Sequence, residues 1–150
     1  MAITSAVCNS FKQEILEAEH NFTASSGNTF NLALYTSSAT INKSTTAYSA
    51  TNEISNTSGS AYSAGGIALT NITPVLDSDT AICDFSNVSW SSASFTANGC
   101  LIYDDSTVTG MTTDAAVCTI AFGGDKTVTS GTFTIEFPAA AASTAIIQIA

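Results

Sequence analysis

Short runs in which apolar and polar residues alternate recur along most of this 150-residue sequence, and they constrain the fold more than any other feature. The run at 132–137 is the clearest, because Phe133, Ile135 and Phe137 are separated by polar residues. A period of two places alternate side chains on one face of a strand. Similar runs occupy 30–35, 66–73, 80–90, 94–103, 116–122 and 145–150. The pattern predicts a mainly β chain, an antiparallel β-sandwich of immunoglobulin-like or jelly-roll-like type.

Several details of these strands are specific predictions. The strand at 30–35 should be half-buried, and Pro74 should end the strand at 66–73. A bulge or bend is expected near Ser86-Asn87, where the apolar parity changes. Gly123-Gly124 should form a hairpin turn. The last strand should pair inside a sheet, since the apolar run 146–149 would otherwise form an exposed edge.

One stretch has a helical period instead. Cys8, Phe11, Ile15, Ala18 and Phe22 recur at spacings of three and four, which predicts an amphipathic N-terminal helix over about 5–22. That helix should pack on the protein's own sheet, or form a seam with another subunit. A Ser-, Thr- and Ala-rich stretch, about 37–66, predicts a long extended loop. We therefore expect a single domain, 1–150, with the strand-rich sandwich in 29–36 and 67–150.

Cationic residues are almost absent, which excludes several classes of function. The chain has no arginine, three lysines, one histidine and a formal net charge of −9. Nucleic acids and anionic membranes both require clusters of Lys or Arg, so neither is an expected partner. The N-terminus has no cationic segment followed by an apolar one, so no secretory signal is expected.

The four cysteines are therefore expected in a reducing compartment, where disulfides are uncommon. They allow three pairings if all of them pair. None lies in a C-x-x-C motif, and they are best interpreted as small buried apolar residues. These are Cys8, Cys83, Cys100 and Cys118.

No motif for catalysis, for a cofactor or for a metal emerges, so we expect none of these. His20 is interpreted as a cation near the end of the helix, where it complements the helix dipole. The acidic pairs Asp77/Asp79 and Asp104/Asp105 could hold calcium or act as a glycosidase pair. They are more simply interpreted as solvated turns. Trp90 is typical of a sandwich core, with sugar stacking as the alternative.

Segments along nearly the whole chain resemble small virion proteins of tailed bacteriophages of the aquatic and cyanobacterial type. One departure is Asn98, where the resemblance leads us to expect arginine. The resemblance implies a phage particle as the location, assembled in the bacterial host cytoplasm, and brings no catalytic residues. The segments that carry it are 3–16, 32–40, 48–53, 62–66, 88–90, 97–103, 122–126 and 133–138.

These considerations predict a non-enzymatic virion structural protein. The first hypothesis is a capsid decoration (cement) protein that binds the outer lattice of major capsid proteins and stabilises contacts between capsomers. The alternative is a tail, baseplate or fibre component that attaches to host-surface glycans, which requires exposed aromatic side chains. The expected partners are the major capsid protein or other virion proteins, with the chain a homo-oligomer or present in many copies. The candidate interface residues are Phe11, Ile15, Tyr48, Ile54 and Tyr62.

Overall fold

A computed structural model describes residues 2–55 and 59–150. The described part contains one short helix, α1 (Asn9–Glu14), and eight strands. The strands are β1 (Ala6–Val7), β2 (Phe30–Tyr35), β3 (Ile67–Ala68), β4 (Asn71–Asp77), β5 (Thr80–Phe85), β6 (Val88–Asp104), β7 (Ala115–Ile135) and β8 (Ile147–Ile149).

The strands form two antiparallel sheets. One has five strands in the order β1-β7-β6-β2-β3, and the other has three in the order β4-β5-β8. Buried residues of both sheets belong to one hydrophobic core, in which the rings of Phe30 and Phe85 lie 5.6 Å apart. The predicted mainly β, antiparallel sandwich is confirmed.

The N-terminal helix is much shorter than predicted. Helix α1 covers Asn9–Glu14 rather than 5–22, and residues 6–7 instead form β1, which pairs with β7. Ala18 adopts a left-handed backbone conformation with φ 60°, which reverses the chain after the helix. The reversal returns His20 and Phe22 to the core. Tertiary pairing and core burial therefore override the local helical pattern.

Strand β2 is buried on both faces, whereas half-burial was predicted. On one face Phe30 packs against Phe22, with stacked rings 4.3 Å apart, and against the three-stranded sheet. On the other face the side chains of Ala33 and Tyr35 are equally buried. The long segment at 37–66 supplies the cover on this face, since Tyr35 Oη donates to the Ser49 carbonyl at 2.7 Å.

The predicted loop at 37–66 lacks long strands in its described part, but its backbone is tied to the five-stranded sheet. The Ile54 amide donates to the Leu34 carbonyl, and the Tyr48 amide donates to the Asp114 carbonyl. Gly66 ends the segment with φ +85°, where an added Cβ would lie 1.8 Å from the Leu32 carbonyl oxygen. Only glycine allows this close approach. Residues 56–58 of the predicted loop lie outside the described residues.

Several strand details differ from prediction. Pro74 does not end its strand but lies within β4, at an irregularity between Ile72 and Val75. An edge strand tolerates proline because one side of its backbone has no ladder partner. Gly123-Gly124 form a bulge inside β7, with residues 122–125 opposite Asn98, rather than a hairpin turn. The expected break at Ser86-Asn87 is confirmed, since it separates β5 from β6 and so one sheet from the other.

Candidate interaction surface

The single histidine lies in a buried polar cluster rather than at an exposed helix end. His20 Nδ1 lies 2.8 Å from Asp104 Oδ2, and His20 Nε2 lies 3.1 Å from Glu14 Oε2. Burial alone would lower the pKa of His20. The hydrogen bonds to Asp104 and Glu14 outweigh it, so the pKa lies above its usual value of 6.5. Because both ring nitrogens face carboxylate oxygens, this arrangement favours the protonated imidazole.

Other groups complete the hydrogen bonding of these carboxylates. Asn28 Nδ2 donates to Asp104 Oδ2 at 2.6 Å, and the Ser106 amide donates to Asp104 Oδ1 at 3.0 Å. The Glu14, His20 and Asp104 side chains, which we call the buried triad, thus join α1, the segment after it and the end of β6. Both ring nitrogens are occupied by carboxylates, so the imidazole has no free nitrogen to activate a nucleophile. The predictions of a dipole-complementing His20 and a solvated Asp104 are wrong.

A second polar cluster fastens the 37–66 segment. Glu53 accepts hydrogen bonds from Tyr48 Oη and Tyr62 Oη, both at 2.7 Å, and from the Gly65 amide at 2.8 Å. Tyr62 Oη also accepts from the Leu34 amide at 2.9 Å. Burial raises the pKa of Tyr62 far above its usual value, and the hydrogen bond to Glu53 adds to this. The tyrosines therefore act here as neutral donors that hold the segment on β2.

The structure does not bring the five candidate interface residues together on one surface. Phe11, Ile54 and Tyr62 are buried in the core, while Ile15 and Tyr48 are half-buried against it. The backbone of the 37–66 segment forms internal hydrogen bonds in its described part, such as those of the Tyr48 and Ile54 amides.

Aromatic side chains expected to be exposed on a glycan-binding tail protein are largely internal. Tyr35, Tyr62 and Trp90 are buried, and Tyr48 is half-buried, stacked on Tyr103 with ring centroids 4.7 Å apart. Trp90 packs against Tyr62, with ring centroids 6.0 Å apart. The interpretation of Trp90 as a core residue is confirmed.

Two of the remaining acidic turn residues have separate hydrogen-bond partners. Asp77 Oδ2 accepts from the Ala142 amide at 2.7 Å, and Asp105 Oδ2 accepts from Asn31 Nδ2 at 3.1 Å. Asp79 is exposed. Across residues 2–55 and 59–150, no group of three or more His, Cys, Asp or Glu side chains is arranged to hold a metal ion.

The four cysteines are all free and buried, as interpreted from their spacing. Burial raises the pKa of Cys8 to about 11, of Cys83 to about 12 and of Cys100 to about 12. Cys118 shifts in the same direction, with its pKa well above 9.0 because of burial. Thiolate is the reactive form, so these side chains are poor nucleophiles in the folded protein.

The three-stranded sheet carries an apolar row that the described chain leaves uncovered. Leu76 of β4 pairs with Ala81 of β5, and Ala81 pairs with Ile149 of β8. Directly paired residues share one face of a sheet, and this is the face from which Cys83 and Ile147 enter the core. Leu76 is nevertheless 71% exposed and Ile149 58% exposed. We call Leu76, Ala81 and Ile149 the open row.

A groove of about 120 Å³ lies beside the open row. The N-terminal segment forms one wall with Phe11, Ile15 and Phe22, and the sheet forms the other with Pro74, Ala81 and Ile149. Leu16, which follows Ile15, is 88% exposed. The apolar core therefore continues to the surface at this end of the molecule, which is typical of an interaction site.

The sequence pattern did not predict the open row, for a specific reason. The final strand was predicted to pair inside a sheet, but β8 is the outer strand of the three-stranded sheet. The apolar alternation of β8 is the same whether the strand lies inside a sheet or at its edge. The prediction that this apolar edge is covered by another strand is therefore wrong, because β8 lies at the edge of its sheet and exposes Ile149.

In the described part of the chain, no helix is long and apolar enough to cross a membrane. Comparisons with protein-family models, with curated proteins and with solved structures find no match for this chain.

Proposed function

We propose that this chain is a non-enzymatic structural protein of a bacteriophage particle, most specifically a decoration protein that binds the outer capsid lattice. The observation that carries the proposal is the open row, an apolar face continuous with the core that the described chain leaves uncovered. An exposed apolar face that continues from the core is typical of a surface that contacts another molecule. The resemblance of the sequence to phage virion proteins supports the particle as the setting.

Lattice binding suits a small apolar face. A single contact of this size is weak, but a chain that meets two adjacent capsomers gains a second contact at high effective concentration. Such a chain raises the free energy needed to separate the capsomers, which matters in a shell loaded with DNA. The strongly acidic composition favours dispersed particles, since like charges keep copies apart.

The alternative, a tail or fibre component that binds host glycans, has less support. It requires exposed aromatic side chains, whereas Tyr35, Tyr62 and Trp90 are buried. The buried triad also favours a structural role over an enzymatic one, because it has no access for a substrate.

The number of copies per particle tests the proposal. Quantitative gel densitometry of purified particles should give a stoichiometry comparable to that of the major capsid protein. A stoichiometry of only a few copies would favour the tail alternative and contradict the decoration function. Complete absence from washed particles would contradict both.

A further inference from the structure

We infer that the groove beside the open row binds one aromatic or branched aliphatic side chain of a partner protein, in a segment that also carries Lys or Arg. The identity of the partner rests on the proposed function. The chemistry of the bound segment rests only on the groove and on the charges of this chain.

The size of the groove sets the apolar part of the ligand. A dry cavity of about 150 Å³ in another protein holds one benzene molecule. The groove here, of about 120 Å³, therefore fits a single ring or branched aliphatic group. Its walls present only apolar contacts, from residues such as Ile15, Pro74 and Ile149. A polar side chain placed there would lose its hydrogen bonds to water without replacement.

The charges around the groove set the polar part of the ligand. Asp79 lies in the turn between β4 and β5, two residues before Ala81 of the open row, and Glu17 lies two residues after Ile15 of the groove wall. Both carboxylates are exposed, and so is Lys12, which follows Phe11 of the groove wall. The net charge of −9 extends the negative field over the whole molecule. A segment with Lys or Arg beside its apolar anchor is attracted to this rim, whereas an acidic segment is repelled.

The same charges disfavour a second copy of this chain as the occupant. Each copy carries a formal net charge of −9, so two copies repel one another. The open row is also small, whereas stable protein–protein interfaces bury about 1,200–2,000 Å² in total. A basic partner segment with one apolar anchor is complementary to both the shape of the groove and the negative charge of the chain.

The test uses the full chain and two synthetic peptides with the same Val-Phe-Val core, one flanked by lysines and one by glutamates. Binding is measured by changes in the amide NMR resonances on titration. We expect the lysine peptide to shift resonances of β4, β5 and β8 near the open row. We expect the glutamate peptide to bind at least about tenfold more weakly.

Two variants locate the site. The double variant Leu76→Ser/Ile149→Ser should lose the lysine-peptide shifts. Val75→Ser should keep them, because Val75 is also exposed, at 55%, but lies on the opposite face of β4. Equal binding of both peptides, or equal loss in both variants, would overturn the inference. The peptide comparison on the unchanged chain needs no variant, so poor folding of a variant leaves it intact.

Self-association of this chain through the open row is the remaining alternative, and sedimentation tests it. Sedimentation of the chain alone should give a monomer at the concentrations used for NMR. A dimer that Leu76→Ser/Ile149→Ser dissolves would identify a second copy as the occupant and overturn the inference. Peptide binding without capsid association would contradict the proposed function only. Capsid association without peptide binding would contradict the inference only.

Discussion

The two sheets of this protein differ in how completely they are covered. The five-stranded sheet is sealed at its centre, where β2 has core on one face and the 37–66 segment on the other. The three-stranded sheet shares the core through Cys83, Phe85 and Ile147, yet its far end exposes Leu76 and Ile149. Both sheets therefore contribute to the core, and the three-stranded sheet also leaves apolar side chains exposed.

Polar and apolar side chains also have different roles in the two sheets. The buried triad and the tyrosine hydroxyls around Glu53 lie where segments must be fastened. The open row has no polar side chain. Polar groups in this molecule hold the protein together, and apolar side chains form the surface proposed for attachment.

Removing the histidine of the buried triad should have the largest effect on stability. His20→Ala leaves Glu14 and Asp104 as two buried carboxylates without their shared cation. Breaking a buried ion pair in this way costs about 3–5 kcal/mol of unfolding free energy. Urea unfolding measures the loss. Leu16→Ala is the control, and its exposed position should keep the change within about 0.5 kcal/mol.

Matched leucine truncations compare the two sheets directly. Leu101→Ala in β6 removes a fully buried side chain and should cost about 2–5 kcal/mol. Leu76→Ala in β4 removes a mostly exposed one and should change stability by less than about 0.5 kcal/mol. Equal losses in the two variants would show that Leu76 is covered in solution, and the distinction between sealed and open sheets would fail.

Loss of one tyrosine hydroxyl should loosen the cover on β2. Tyr62→Phe leaves the buried Leu34 amide without its acceptor and should cost about 1–3 kcal/mol. Tyr48→Phe removes only a half-buried bond to Glu53 and should cost about 0.5–1.5 kcal/mol. Thermal unfolding of both variants tests the order. A smaller effect for Tyr62→Phe would contradict the proposed role of Glu53 and Tyr62.

The buried triad should also make stability depend on pH. The pKa of His20 in the folded protein lies above 6.5, because the hydrogen bonds to Asp104 and Glu14 outweigh burial. Its stabilising effect is fully present below pH 6.5 and is lost as pH rises through the folded pKa. Since the chain has one histidine, its imidazole NMR resonance reports this pKa directly. A value at or below 6.5 would contradict a charged imidazole between the carboxylates.

The smallest expected effect concerns the thiols. A thiol reagent should react slowly with the native protein, because burial raises the pKa of Cys8, Cys83 and Cys100 and lowers the thiolate fraction. The unfolded protein should react with all four cysteines without reductant. Reaction of fewer than four would show that a disulfide forms.

Local patterns predicted the strands because a period of two survives in any sheet. They could not predict the buried triad, since His20 and Asp104 are 84 residues apart and meet only through the fold. The helical pattern at 5–22 identified side chains that do enter the core, such as Phe11 and Phe22. It could not show that the chain reverses at Ala18. The exposure of Ile149 was equally invisible, because it depends on whether another strand lies beyond β8.

The most direct test of the proposed attachment surface is the orientation of this chain in an electron cryo-microscopy map of the particle that carries it. We predict that the chain lies on the outer capsid surface, with Leu76 and Ile149 against the lattice. A chain on the capsid with the open row facing solvent would contradict the proposed attachment surface, and density only in the tail would contradict the decoration function.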